Sequence, residues 1–207
     1  VLPRSRAPAG RIPRGRVHSA DGTSPFNDRA PRRAARLRQA ILDANASPGF
    51  DTIGFAIPGS GVQTIAPASS LPAITDPVTI DGSTQPGASC ASWPPTLRIE
   101  LSGVNVSPFG TGFAMTGPGA SGSTIRGLVV NQYANTGNGA GFSQAIQILD
   151  SNNNAIECTF VDYDPSGAAY LASTISVTVE GVSSNNRIGT NGDGINDVWN
   201  IFGIDNY

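Results

Sequence analysis

Six carboxylates of this 207-residue chain are candidates for acid–base or metal chemistry: Glu157, Asp162, Asp164, Glu180, Asp193 and Asp197. Cleaving a glycosidic bond by hydrolysis takes two carboxyl groups about 5–10 Å apart, one to protonate the leaving oxygen and one to attack or to activate water. Asp162 and Asp164 flank Tyr163 at i and i+2, so an extended backbone would point both to one side. Glu157 precedes them in the same block, and the three make the candidate catalytic group. The competing reading is plain solvation, the common state of loop carboxylates. A lyase would instead need carboxylates that bind Ca²⁺ and a basic side chain. The chain has no Lys; Arg126 and Arg187, at nearly equivalent repeat positions, suit binding of acidic sugars, with outward strand positions as the competing reading.

The run Asn191-Gly192-Asp193-Gly194-Ile195-Asn196-Asp197 is rich in oxygen donors and flexible glycines, which suits a hard cation. Asn191, Asp193 and Asp197 are therefore the candidate Ca²⁺ ligands, although the spacing is not that of an EF-hand and an ordinary turn is the competing reading. Trp93, Tyr133, Tyr163, Tyr170 and Trp199 lie in or beside expected loops, where sugar rings stack on such side chains; covering of loop edges is the competing reading. Other chemistries are excluded. His18 is the single histidine, so no Ser-His-Asp set can form in the body of the chain. Neither zinc-ligand spacing nor a Gly-rich phosphate loop leading into a helix occurs.

These residues are carried by two unlike materials. Ten of the 13 Arg fall within residues 1–38, opposed by Asp21 and Asp28, so that segment carries +8; residues 39–207 hold 3 Arg and 13 acidic residues and carry −10. Residues 1–35 alternate Pro, Gly and Arg without apolar periodicity, and the expectation is a disordered segment with no specific nucleic-acid role. In the rest, Gly and Pro are abundant and charge is sparse, as in turn-rich β proteins. No stretch approaches the roughly 20 apolar residues of a membrane-spanning helix. The chain begins at Val1 and ends at Tyr207 in mid-pattern, which reads as part of a longer protein. Cys90 and Cys158 are either bridged or, as the expectation, two buried thiols in different coils.

Leu37, Ala40, Ile41 and Ala44 recur at i, i+3, i+4 and i+7, which predicts a short amphipathic helix over Arg36–Ala46, stopped at Ser47-Pro48-Gly49. Short alternating runs follow, among them 51–57, 61–65, 72–74, 78–82 and 97–101. Three later blocks align on Ile125, Ile156 and Ile188, spaced 31 and 32 residues apart, each preceded by a strand and a polar turn. An internal repeat of about 31 residues with two or three strands each is the signature of a solenoid. Its excess length falls in loops, at 133–141 and 162–172. The Asn residues of the turns tolerate left-handed backbone angles and can stack as a ladder.

LRQAILDAN at 37–45, DTIGFAIPGSGVQTI at 51–65, LPAITDPVTIDGSTQPG at 71–87, GSTIRGLVVNQ at 122–132 and NNRIGTNGDGIND at 185–197 resemble a family of bacterial extracellular right-handed parallel β-helix proteins of pectate-lyase-like architecture. The likeness covers about 37–197; residues 1–36 do not resemble the family's β-rich leader. It implies an all-β, right-handed single-stranded parallel β-helix over 36–207 with an N-terminal capping helix. It transfers no catalytic residue. The expected function is a secreted or cell-surface module, structural, adhesive or glycan-binding, with a polysaccharide lyase or glycoside hydrolase acting on acidic polysaccharide as the alternative. A coil edge left open at the C-terminal end also invites self-association.

Overall fold

The computed structural model describes residues 17–19, 30–106, 109–134, 142–189 and 201–202. They form a parallel β-solenoid of about four turns with one N-terminal helix. A lead strand β1 (Val17–Ser19) and helix α1 (Ala30–Asn45) come first. Coil one holds β2 (Asp51–Gly54), β3 (Gln63–Ile65) and a single bridging residue, Ile74. Coil two holds β4 (Val78–Asp81), β5 (Ile99–Ser102) and β6 (Thr111–Thr116). Coil three holds β7 (Thr124–Arg126), β8 (Leu128–Asn131) and β9 (Gln144–Leu149). Coil four holds β10 (Ala155–Glu157), β11 (Phe160–Val161) and β12 (Ile175–Glu180). Then β13 (Arg187–Ile188) and β14 (Ile201–Phe202) extend two of the sheets.

Every ladder between these strands is parallel. The first sheet runs β1-β2-β4-β7-β10-β13, the second β3-β5-β8-β11-β14 and the third β6-β9-β12. Register explains the repeat. Ile53, Ile80, Ile125, Ile156 and Ile188 stand opposite one another in consecutive strands of the first sheet, so the three aligned isoleucines belong to a column of five. Ile53, Ile80, Ile125 and Ile156 are wholly buried. The second sheet contributes Ile65, Leu101, Val130 and Val161 as another inward column, and the third contributes Phe113 and Ile146. Strands buried on one face by their own stack need only alternate, as β2, β3 and β4 do.

The turn from the third sheet back to the first is built the same way in successive coils. Gly122, Asn153 and Asn185 occupy matching positions, all with positive φ, and only Gly or Asn adopts that angle at low cost. The next residues, Ser123, Asn154 and Asn186, form the expected ladder: Asn154 Oδ1 accepts from Ser123 N at 3.0 Å, and Asn186 Oδ1 accepts from Asn154 N at 2.9 Å.

The helix differs from the expectation: it begins at Ala30, six residues before Arg36. Pro31 is tolerated because the first turn has no use for its missing N–H. Ala34 extends the buried stripe of Leu37, Ala40, Ile41 and Ala44 by another turn. Asn45 fastens the far end, donating to the Ala73 carbonyl and accepting from Thr75 N. The helix thus covers the first coil, as a capping element should. Most of the basic segment expected to be disordered lies outside the described residues, but Val17–Ser19 pairs in parallel with Thr52–Gly54 and so adds a strand to the first sheet. No helix among the described residues is long and apolar enough to cross a membrane.

The coils are unequal. Register partners Thr79 and Thr124 are 45 residues apart, against 27 for Thr52 and Thr79 and 31 for Thr124 and Ala155. The surplus in coil two is the segment 82–98 between β4 and β5. In coil three the same corner is the single residue Gly127, at φ 70°. A Cβ there would lie 2.6 Å from Ser83 N, so the corner closes only around glycine.

Candidate functional site

The segment 82–98 decides what the outside of the second sheet looks like. Thr64, Glu100, Val129 and Phe160 stand in register along its outer face, one per coil. An outward Val or Phe would ordinarily be half exposed. Here Val129 and Phe160 are buried, together with Leu97 and Cys158, and Cys90 and Tyr163 pack against them. The segment carrying Cys90 and Leu97 folds across coil three and onto coil four, closed on itself by pairing between Ser89 and Thr96. Cys90 and Cys158 are joined in a disulfide, with Cα atoms 6.0 Å apart. This corrects the expectation of two free thiols. Sequence distance misleads because Gly127 leaves coil three with almost no corner to bridge.

On this apolar layer sit exposed rings. Trp93 packs edge-on against Phe160, centroids 6.1 Å apart, while half of its own surface stays in solvent. Tyr163 and Tyr170 pair across the base of the 162–172 loop, at 5.6 Å and 61°. Tyr170 is exposed and Tyr163 partly so. Trp93, through Phe160, and the Tyr163–Tyr170 pair, through Tyr163, thus rest on the same buried layer and make up the aromatic platform of this face. Two of the aromatic candidates do not join it. Tyr133 is only 1% exposed, its ring lying over Gly103, where a Cβ would come within 2.6 Å of it, and close against Gly112. Burial raises its hydroxyl pKa above the ordinary value, and the hydroxyl has no hydrogen-bond partner among the described residues. Trp199 lies outside the described residues.

The platform is bordered by polar groups that the sequence reading did not single out. Glu100 accepts from Thr64 Oγ1 at 2.7 Å and from Asn131 Nδ2 at 2.9 Å. The same Asn131 nitrogen donates to the Tyr163 carbonyl at 2.9 Å, which ties the Glu100 carboxylate to the tyrosine loop. Asn131 is fully buried, and its Oδ1 has no hydrogen-bond partner among the described residues. Alternation in Leu97–Leu101 marks Glu100 as outward; nothing in sequence aligns it with Asn131.

The three candidate catalytic carboxylates do not share a site. Asp162 is fully buried at φ 65°, which breaks the alternation that would have matched it to Asp164. Its carboxylate accepts from Ser173 N at 2.9 Å and from the Ser176 hydroxyl, locking the loop exit to its entrance. Asp164 is turned into its own loop, accepting from Ser166 Oγ, Ala168 N and Ala169 N. The Ala169 N–H, then the Ser166 hydroxyl, hold its carboxyl below the usual carboxylate range. Glu157 belongs to the outer face of the first sheet, in a row of alternating charge. Arg126 stands in register between Asp81 and Glu157, with its Nε 3.9 Å from Asp81, and Arg187 lies 3.7 Å from Glu157. Arg126 and Arg187 flank the isoleucine column on opposite sides, so the two are offset in register by two residues. Glu180 ends β12, on the third sheet.

The candidate Ca²⁺ ligands Asn191, Asp193 and Asp197 lie outside the described residues. Among the described residues no group of three or more His, Cys, Asp or Glu side chains is placed to hold a metal. A scan against protein-family models, a search of curated proteins and a search of solved structures each returned no match. The class of this protein is therefore defined by its fold, a parallel β-solenoid with a helical N-terminal cap.

Proposed function

We propose that the chain is an extracellular or cell-surface solenoid module that binds polysaccharide along the outer face of its second sheet. The observation that carries this reading is the platform of Trp93, Tyr163 and Tyr170, held on a buried layer of Val129, Phe160 and Leu97. Aromatic faces supply large apolar area, and a rigid support removes the ordering cost of presenting it. The Cys90–Cys158 bond supports the compartment, since structural disulfides persist in oxidising surroundings. The resemblance to bacterial extracellular β-helix proteins points the same way. Binding is favoured over cleavage because Glu157, Asp162 and Asp164 are engaged separately, one in an ion pair and two in loop closure.

Affinity electrophoresis against neutral, acidic and amino polysaccharides tests this. Retention by at least one polymer is expected, weakened roughly tenfold by Trp93→Ala or Tyr170→Ala, the scale of losing a well-placed aromatic contact. New reducing or unsaturated ends in the same incubations would replace binding with catalysis. Retention by none of the polymers would sink the proposal.

A further inference from the structure

The segment that carries Trp93 is built as a strap, hinged at its roots and latched at its far side. Both roots are fastened to coil one. Thr84 Oγ1 accepts from Phe55 N at 2.7 Å, and the Gln85 side chain accepts from Ile57 N at 2.9 Å and donates to the Ile57 carbonyl at 2.8 Å. At the other root the Arg98 carbonyl accepts from Gln63 N at 2.8 Å. Between the roots, 86–96 reaches over coils three and four. Among the described residues, every hydrogen bond made by 86–96 stays within 85–98. Ser89 and Thr96 pair in both directions, Ala88 N donates to the Gln85 carbonyl, Ala91 N to Ser89 Oγ, and Arg98 Nε to the Gly87 carbonyl. Coils three and four therefore hold 86–96 by the Cys90–Cys158 bond and by apolar packing, of Cys90 on the buried layer and of Trp93 on Phe160. That packing is thin: within 86–96 Pro95 alone is buried, and Trp93 keeps half its surface in solvent. Fixing the segment costs chain entropy at each residue that is not proline, and one half-exposed ring does not offset it. The outward residues of the second sheet match a strap that closes. They are polar in coils one and two, Thr64 and Glu100, and apolar beneath the strap in coils three and four, Val129 and Phe160.

We infer that the Cys90–Cys158 bond is a redox latch on the binding face: the solenoid stays folded with two thiols, and Trp93 joins Tyr163 and Tyr170 only once the bond forms. Closure is a thiol–disulfide exchange with a small-molecule disulfide. Cys158 is buried and Cys90 partly exposed, so the exchange enters at Cys90. The Cys90 thiolate attacks one sulfur of the oxidant and expels the other half as a thiolate. The Cys158 thiolate then attacks the Cys90 sulfur, expels the second half and completes the bond. The two expelled thiolates take up the two protons that the cysteines lost. A dithiol runs the sequence backwards and is itself oxidised to a disulfide. Opening turns Val129 and Phe160 to water and carries Trp93 away from the tyrosine pair. The chain then binds polysaccharide in oxidising surroundings and releases it in reducing ones. This gating of binding rests on the platform reading; the opening of the strap does not.

The test compares the full chain oxidised, reduced with dithiothreitol, and re-oxidised with oxidised glutathione. Hydrogen exchange follows the strap, and affinity electrophoresis follows binding. On reduction the amides of 86–96 are expected to exchange at least roughly tenfold faster, while those of β4, β7 and β10 keep their protection. Retention by the polysaccharide that the oxidised chain binds is expected to fall roughly tenfold and to return with oxidised glutathione. Cys90→Ser combined with Cys158→Ser reproduces the reduced state and does not respond to glutathione. Trp93→Ala, by contrast, loses retention while the oxidised strap stays protected. Unchanged exchange in 86–96 on reduction overturns the inference. So does an equal loss of protection in β4, β7 and β10, because the solenoid then unfolds instead of opening its strap. Opening with retention unchanged overturns the gating of binding. Retention by no polymer in either state sinks the platform reading alone, and exchange in 86–96 then decides the latch.

Discussion

Cys90, on the long corner of coil two, is bonded to Cys158, at the corner of coil four, so the bridge spans the intervening coil. It ties residues 68 apart in sequence and clamps the 82–98 segment over Val129 and Phe160. Closing a loop of that length removes enough chain entropy from the unfolded state to contribute about 4 kcal/mol. Reduction, or the double change Cys90→Ala and Cys158→Ala, is expected to lower the urea midpoint accordingly. Unchanged unfolding under reductant would show that the bond adds nothing.

The isoleucine column predicts a gradient along the stack. Ile80 and Ile125 are wholly buried, with a coil on either side, whereas Ile188, near the C-terminal end, is 38% exposed. Ile125→Ala is expected to cost about 3–4 kcal/mol and Ile188→Ala about 1 kcal/mol, because a cavity opens in the first case and water already reaches the second. Equal losses in chemical denaturation would contradict the register.

The asparagine ladder makes a similar, polar prediction. Asn154 is fully buried, accepts from Ser123 N, and donates to Ser151 Oγ and Asn186 Oδ1. Asn154→Ala removes three bonds where water cannot replace them and is expected to cost about 2 kcal/mol or more. Asn186 is only partly buried, so Asn186→Ala should lose nearer 1 kcal/mol. Thermal melts of the two variants side by side decide the order.

Tyr133 gives a pH dependence. Its hydroxyl is buried without a partner among the described residues and burial raises its pKa, so the folded state favours the neutral form more than the unfolded state does. That contribution is fully present below the unfolded tyrosine pKa of about 10 and is lost as pH rises beyond it. Tyr133→Phe deletes the unpartnered hydroxyl, is expected to stabilise by about 1 kcal/mol at neutral pH, and should flatten the alkaline fall in stability. A wild-type stability curve that is level above pH 10 would refute the assignment.

The sequence alone determined the solenoid, the capping helix and the turn chemistry, because each is written in local spacing. Leu37, Ala40, Ile41 and Ala44 share a helix face whatever they pack against. Ile125, Ile156 and Ile188 recur at the interval of one coil, and Asn153 and Asn185 suit left-handed angles on their own. The coils at Ile53 and Ile80 escaped the repeat because the 82–98 segment stretches that interval to 45 residues. Tertiary structure decided what depends on distance through space. It bridged Cys90 to Cys158 across a one-residue corner and sank Tyr133 into the room left by two glycines. It separated Asp162 from Asp164 by a positive φ, and set Glu100 beside Asn131 and Tyr163. Periodicity reports which face of its own strand a residue occupies; which residues of other coils meet it there is set by register and loop length.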